Sequence, residues 1–490
     1  MTARPGLVGV LAAVAVLVGG SWYQATVTPP YRFIDEQAHA GYVLAIQSGE
    51  LPHIDTAIDG EAGGVALRTR LAREPQRRRD VWVANNPPLT YVVAAVPAAA
   101  TRTLGLPGGP LLGLRLVNIA AAAVAVALSY LLARDLAGGD RTVGLVAAGL
   151  VAATPHLGFV ASLGFNDGTA LLATTGVLWA LARVAGAGAP PGAALDRSRV
   201  IQLGIWCAAA ALTRPMALVL ALVAGALALA LIWWRRLAPV GWAAAWLALP
   251  TAVGAGWFYV LNVVRYGDPT GSEALFEKFL RTDQGSLWDN LWLRGVWEAA
   301  VRTITTRRLE APLPGDPYGW YRVSLAVLVV GVVGAAALVA WSGIRNRAGQ
   351  PARASRLDPA DPLPVIAWVA VALTSLVPLV LTAQHRAGGG APHPRYLLPM
   401  VPVVAAAVAL TVVRLGTRWA GIALVALVGL VTWRQTRASA RWLAEHPDGP
   451  PGSELVTAYG SELVRGAGLA LAILGMAVLL VTVARGPADG

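Results

Sequence analysis

Long apolar runs, separated by short polar stretches, set the pattern of this chain. They lie near 6–25, 112–133, 143–161, 168–186, 200–212, 216–234, 240–262, 323–342, 364–382, 396–413, 418–432 and 467–484. Runs of about 17–25 apolar residues are long enough to cross a bilayer as helices. A weaker run, 88–104, opens behind Pro87-Pro88 and contains Pro97 and Arg102. Its status sets the sidedness of everything after it. Suppose it does not cross and the N-terminus is cytoplasmic. Arg134 and Arg141, Arg197 and Arg199, Arg235 and Arg236, and Arg414 and Arg418 then all face the cytoplasm. So does the basic linker with Arg345, Arg347, Arg353 and Arg356. If 88–104 crosses, these arginines face outward, against the positive-inside tendency. The run therefore reads as an interfacial or re-entrant helix. The pattern predicts an all-α polytopic membrane protein with about twelve spans and both termini inside. The segment 433–466, with Arg434, Arg437 and Arg441, fits the outside less well, but the rule is weak for long segments.

Composition agrees with this reading. Of 490 residues 56% are hydrophobic, mean hydropathy is +0.58, and only 13% are charged, against about 25% in soluble proteins. The net charge of +12 does not indicate nucleic acid, because the arginines lie between apolar runs and Lys278 is the sole lysine. Cys207 is the sole cysteine, so neither an internal disulfide nor a cysteine zinc site can form. The first apolar run lacks a small-residue cleavage site before Pro29 and reads as a retained span.

The polar residues that remain collect on the external side of this topology. Pro29-Pro30 stops the first span, and a second helix is predicted to begin near Ile34. On it Asp35, His39 and Tyr42 share a face, while Phe33, Ile34, Ala38, Ala45 and Ile46 suit a membrane interface. Glu36 points about 100° away from Asp35. The first external loop, 26–111, also offers His53 and Asn85-Asn86-Pro87-Pro88. The turn Phe165-Asn166-Asp167-Gly168 falls on the same side. So do Thr213-Arg214-Pro215, Asn262, Arg265 and His393-Pro394-Arg395-Tyr396. Paired carboxylates suit glycosyl chemistry, where one deprotonates an attacking hydroxyl. A guanidinium at a span's outer end suits a lipid phosphate. Each piece also has a plain reading: Asn-Asp-Gly is a common turn, and an interfacial arginine can simply snorkel. Trp288, Trp292 and Trp297 have helical spacing and read as an interfacial belt rather than a sugar platform. No phosphate loop, dinucleotide glycine pattern or His-Glu-x-x-His motif is present in the sequence.

Taken in order, these motifs resemble the GT-C superfamily of polytopic glycosyltransferases. The first-loop Asp-Glu-x-x-His is matched by Asp35, Glu36 and His39, and the Pro-Pro motif by Asn86-Pro87-Pro88. The arginine opening the next span is matched by Arg115, with Leu116-Val117-Asn118 behind it. The second-loop Asn-Asp is matched by Asn166-Asp167, and Arg-Tyr-Leu-Leu-Pro by Arg395–Pro399. The resemblance covers roughly residues 1–400 as a catalytic membrane module, leaving 401–490 as further C-terminal spans. It implies an inverting transfer from a polyprenyl-phosphate-linked sugar to a glycan, lipid or protein acceptor on the external face of the plasma membrane. Asp35 would be the base. Glu36 and Asp167 would hold acceptor, donor phosphate or a metal. His39, Asn86, Asn166, Arg214, His393, Arg395 and Tyr396 would bind substrate. Dependence on a divalent cation such as Mg or Mn varies in the family and is left open. The large soluble C-terminal domain of some branches is missing from this sequence, which leaves the acceptor open. The rival reading is a lipid or polysaccharide transporter, which would place its charges near the bilayer midplane. A third reading is a scaffold without catalysis.

Overall fold

The structure, a computed structural model, describes residues 5–33, 35–106, 108–189, 194–305, 317–347, 364–445 and 462–485. Ile34, Arg353, Arg356 and residues 446–461 lie outside the described residues, so readings that rest on them stay untested.

The first span, α1 (Pro5–Val27), ends where Pro29 and Pro30 can no longer supply helix hydrogen bonds. Tyr31, at φ 57, takes the left-handed conformation and reverses the chain into α2 (Glu36–Gln47), with Asp35 at its N-cap. The remainder of the first long loop carries α3 (Gly64–Arg73) and α4 (Leu89–Thr103). At 15 residues α4 is about 22 Å long, too short to cross the ~30 Å core alone. It packs on α5 (Pro110–Leu136) and leaves Val92, Val93 and Val96 exposed.

Next come α6 (Arg141–Ala152) and α7 (Pro155–Ala161), bent by 60° at Thr154-Pro155, where the sequence pattern shows one continuous run. Then follow α8 (Asp167–Val184), α9 (Arg197–Ala211), α10 (Pro215–Arg235) and α11 (Val240–Tyr266). The segment that follows holds α12 (Ser272–Lys278), α13 (Leu287–Leu291) and α14 (Arg294–Thr305). The chain closes with α15 (Pro317–Arg347), α16 (Val365–Ser375), α17 (Val377–Ala387), α18 (Val401–Leu415), α19 (Arg418–Glu445) and α20 (Glu462–Arg485).

Among the described residues nine helices are long and apolar enough to span a membrane, or ten if the bent α6–α7 pair counts as one. The chain is thus a multi-pass membrane protein. The count of about twelve also took in 168–186 and 200–212. These fold as α8 and α9, of 18 and 15 residues, and fall outside the nine. α8 trades apolar character for Asp167, Thr169, Thr174, Thr175 and Arg183, which it can do because α5, α9, α10 and α16 surround it.

The core is made of small residues at close approach. α1 and α20, the two ends of the described chain, form the most extensive helix pair. A Cβ on Gly19 would lie 2.4 Å from the Gly468 carbonyl oxygen, so only glycine permits this seam. α1 is thereby fixed from outside, and α1 leads directly into the candidate site.

The two long inter-helix segments, 28–109 and 267–305, form one cap. Arg265 donates to the carbonyls of Pro52 at 2.9 Å and Leu51 at 3.2 Å. Lys278 bridges Asp55 at 2.6 Å and Asp80 at 2.7 Å. Asn262 donates to Asn85 O at 3.2 Å, and Asn85 donates to Thr270 O at 2.9 Å. Trp288, Trp292 and Trp297 are 67%, 71% and 45% exposed, as lipid-facing tryptophans would be.

Candidate functional site

The ends of several helices meet below the cap. Asp35 is at the N-cap of α2, Asp167 is the first residue of α8, and Arg214 is at the N-cap of α10. Arg395 sits in a 3-10 segment, Pro394–Met400, that leads into α18. Pro215 explains the start of α10, since a proline at the first helical position loses nothing there. Free N–H groups at such ends favour anions.

Arg214 grips Asp167 through both guanidinium nitrogens, at 2.6 and 3.2 Å, while its Nε donates to Asn166 Oδ1 at 2.8 Å. Asn166 in turn donates to Thr213 O at 3.3 Å. Arg395 pairs with Asp35, 360 positions away in sequence. Its guanidinium lies over Phe165 at 4.8 Å and Tyr396 at 5.5 Å. A narrow cleft is lined by Asp167, Thr174, Arg214, Met216, Arg395 and Tyr396, among others. His393 packs edge-on to Tyr396 at 6.0 Å between ring centres. The structure therefore brings together Asp35, His39, Asn166, Asp167, Arg214, His393, Arg395 and Tyr396.

Glu36 and Asn86 are placed elsewhere. Glu36 is fully buried and forms a paired contact with Arg115, Nε to Oε1 at 3.0 Å and Nη2 to Oε2 at 3.0 Å. Gly164 N also donates to Glu36 at 2.9 Å. The rest of the Arg115 guanidinium caps the carbonyls of Ala25 at 3.0 Å, Thr28 at 3.1 Å and Pro29 at 3.3 Å. These are carbonyls that the end of α1 leaves without helix partners. Both Glu36 oxygens, expected in a second catalytic or binding carboxylate, are taken up in tying α1, α2, α5 and the Gly164 turn together. Asn86 accepts from Tyr42 at 3.1 Å and donates to Val83 O at 3.0 Å, so it shapes its own turn. The membrane-interface role expected of Phe33 and Ala38 also gives way to packing. Phe33 meets Phe159 edge-on at 5.1 Å, and Ala38 is fully buried.

Other residues that build the site had little or no signal in the sequence. Asn118 donates to Val160 O at 2.8 Å and Leu163 O at 2.9 Å and accepts from Gly168 N at 2.6 Å. It fixes the turn that presents Asp167, and a Cβ on Gly168 would strike its carbonyl at 2.3 Å. Tyr91 of α4 stacks on Tyr42 at 3.9 Å and shares a 2.8 Å hydrogen bond with His39 Nδ1. Thr90 and Thr169 tie α4 to α8 at 2.6 Å.

The electrostatics separate these groups. Burial pushes the Asp35 carboxyl up, but the Arg395 guanidinium, with His39 and His393, outweighs burial and holds it below the usual carboxylate value. Burial takes the His39 imidazole down to about 3, with Arg395 and Arg214 acting in the same direction and Asp35 against it. His39 is thus neutral at physiological pH. It has a pH signature. The unfolded chain takes a proton on histidine below about pH 6.5, whereas folded His39 does so only near 3. Its contribution to stability is full above the first value and falls as the pH drops toward the second. The thermal midpoint in detergent is expected to decline between about pH 7 and about pH 5, with a shallower slope in His39→Gln. Identical slopes would show that His39 takes up its proton in the folded state.

Among the described residues no three His, Cys, Asp or Glu side chains gather into a metal cage. Asp35 and Asp167 each already face a guanidinium, so the donor set does not make a centre for Mg or Mn.

The result is a bundle of membrane helices whose charged N-terminal ends gather under a cap. Among solved structures, the chain is similar to ArnT from Cupriavidus metallidurans bound to undecaprenyl phosphate. The TM-score is 0.50 and identity 14%, over 96% of this chain and 77% of that one. The apo state of ArnT gives 0.49 and 16%, over 94% and 75%. The archaeal oligosaccharyltransferase AglB from Archaeoglobus fulgidus, in complex with an inhibitory peptide and a dolichol-phosphate, gives 0.39 and 13%, over 97% and 56%. No family model and no curated protein matches the sequence.

Proposed function

We propose that the protein is an inverting glycosyltransferase that moves a sugar from a polyprenyl-phosphate carrier to an envelope glycan, lipid or protein acceptor on the external face. The observation that carries this reading is the double Asp–Arg arrangement at one cleft, built from helix N-termini at the ends of membrane helices. Arg214 and Arg395 bind the donor phosphate, and Asn166, Tyr396 and His393 border the sugar. Asp35 takes the proton from the acceptor hydroxyl as its oxygen attacks the anomeric carbon. The bond from that carbon to the phosphate oxygen breaks, and the electron pair leaves on the phosphate. Asp167 keeps Arg214 oriented. ArnT, with a similar fold, was solved with undecaprenyl phosphate bound, which supports a lipid phosphate as ligand here. A transporter would be favoured by charges near the midplane, whereas these residues stand at helix ends.

Two measurements test this reading. Binding of undecaprenyl phosphate in nanodiscs is expected to weaken more in Arg395→Ala than in Arg395→Lys, since a guanidinium holds two oxygens at once and an ammonium cannot. Equal affinity in wild type and both variants would reduce Arg395 to a topology anchor. Sidedness follows from single cysteines in a Cys207→Ala background. An impermeant reagent applied to intact cells is expected to reach position 60 and not position 139. The opposite labelling would reverse the topology.

A further inference from the structure

The cleft between Asp167, Arg214 and Arg395 is lined by the Arg395 guanidinium, and Asp35 stands behind that guanidinium rather than on the cleft wall. Arg395 is nine-tenths buried, and its Nε has no hydrogen-bond partner. Phe165 and Tyr396 hold the planar group from two sides without taking any of its N–H donors. An arginine held this way has donor capacity left over after Asp35 is served.

We propose that Arg395 is an exchange latch, holding Asp35 in the resting protein and passing to the lipid phosphate during transfer. This inference rests on the function proposed above. It follows from where charge disappears and where it forms. A sugar linked through a phosphodiester carries one negative charge. As the anomeric bond breaks, the departing lipid phosphate becomes a monoester and gains a second. In the same step Asp35 accepts the acceptor's proton and loses its charge. Nothing then holds the guanidinium on Asp35, and the phosphate on the cleft side attracts it more strongly. The neighbours of Asp35 fit this exchange. His39 is neutral, His393 lies near, Arg214 is paired to Asp167, and the Arg395 guanidinium pairs directly with Asp35.

The test uses full-length protein in nanodiscs with undecaprenyl phosphate, the product-like monoester. Binding is followed by native mass spectrometry. In the same samples, a carbodiimide with an amine nucleophile labels reactive carboxyls, and tandem mass spectrometry separates Asp35 from Glu36. The lipid is expected to raise labelling of Asp35 several-fold while Glu36, locked to Arg115, stays unlabelled. Arg395→Gln should label at Asp35 rapidly with or without lipid. Asp35→Asn, which removes the competing charge, should bind undecaprenyl phosphate several-fold more tightly than wild type. If the lipid binds and Asp35 labelling is unchanged or reduced, the latch is wrong and the functional reading stands. If the lipid does not bind at all, the functional reading fails and the latch with it.

Discussion

Asp35→Asn is expected to lower turnover by about 10²–10⁴, with expression and fold retained and lipid-phosphate binding kept or tightened. A glycosyl phosphate already carries a good leaving group. The harder step is to make an alcohol nucleophilic at neutral pH, and a positioned carboxylate does so by accepting the proton as the new bond forms. Asp35 qualifies by state as well as by place. Arg395 holds it ionised, and α1, a candidate membrane span, leads directly to it. Asparagine keeps its shape and still accepts a hydrogen bond from Arg395, so the loss falls on the proton transfer. Full activity in Asp35→Asn would remove it from the mechanism.

Glu36→Gln is expected to act in the opposite way, on the fold rather than on the chemical step. Glu36 and Arg115 are 0% and 1% exposed in their side chains. Removing the charge of one partner leaves a buried guanidinium uncompensated, at a cost of about 3–5 kcal/mol. The same guanidinium also binds the carbonyls of Ala25, Thr28 and Pro29 where α1 ends. The variant should therefore be recovered in low yield, with a strongly lowered thermal midpoint. The fraction that folds should keep most of its turnover. A normal midpoint with lost turnover would instead place Glu36 in the chemistry. The two neighbouring carboxylates thus have distinguishable phenotypes, and the pair of variants reads them apart.

The fold class was legible because hydropathy is a strong signal in a bilayer and because the motifs keep their order along the chain. The turn at Asn166-Asp167 and the arginines at 214 and 395 were legible as polar residues at span ends. Their pairing was not. Asp35 and Arg395 are brought together by packing across the whole chain, and no local pattern says which arginine serves which aspartate. Helical phase separated Asp35 from Glu36 by direction but could not show that the second direction leads to Arg115. That arginine entered only as a motif match. Asn118 too entered only within that motif match, since one asparagine in an apolar run gives no hint that it will hold backbone groups of a distant turn. The bend at Thr154-Pro155 was written in the proline, yet run length alone made 143–161 a single span. At α8 and α9 run length was likewise an incomplete guide, because burial among other helices replaces uniform apolarity there.

The central claim is sugar transfer from a lipid phosphate, and it is tested most directly with purified wild-type protein in proteoliposomes. A panel of radiolabelled polyprenyl-phosphate sugars is supplied together with membrane-derived acceptors. Chain-length and phase-partition analysis then reports where the label goes. The expected result is movement of label from one polyprenyl-phosphate sugar into an acceptor, absent in Asp35→Asn. Movement of intact labelled lipid between leaflets, with no label reaching any acceptor, would contradict it and identify a transporter.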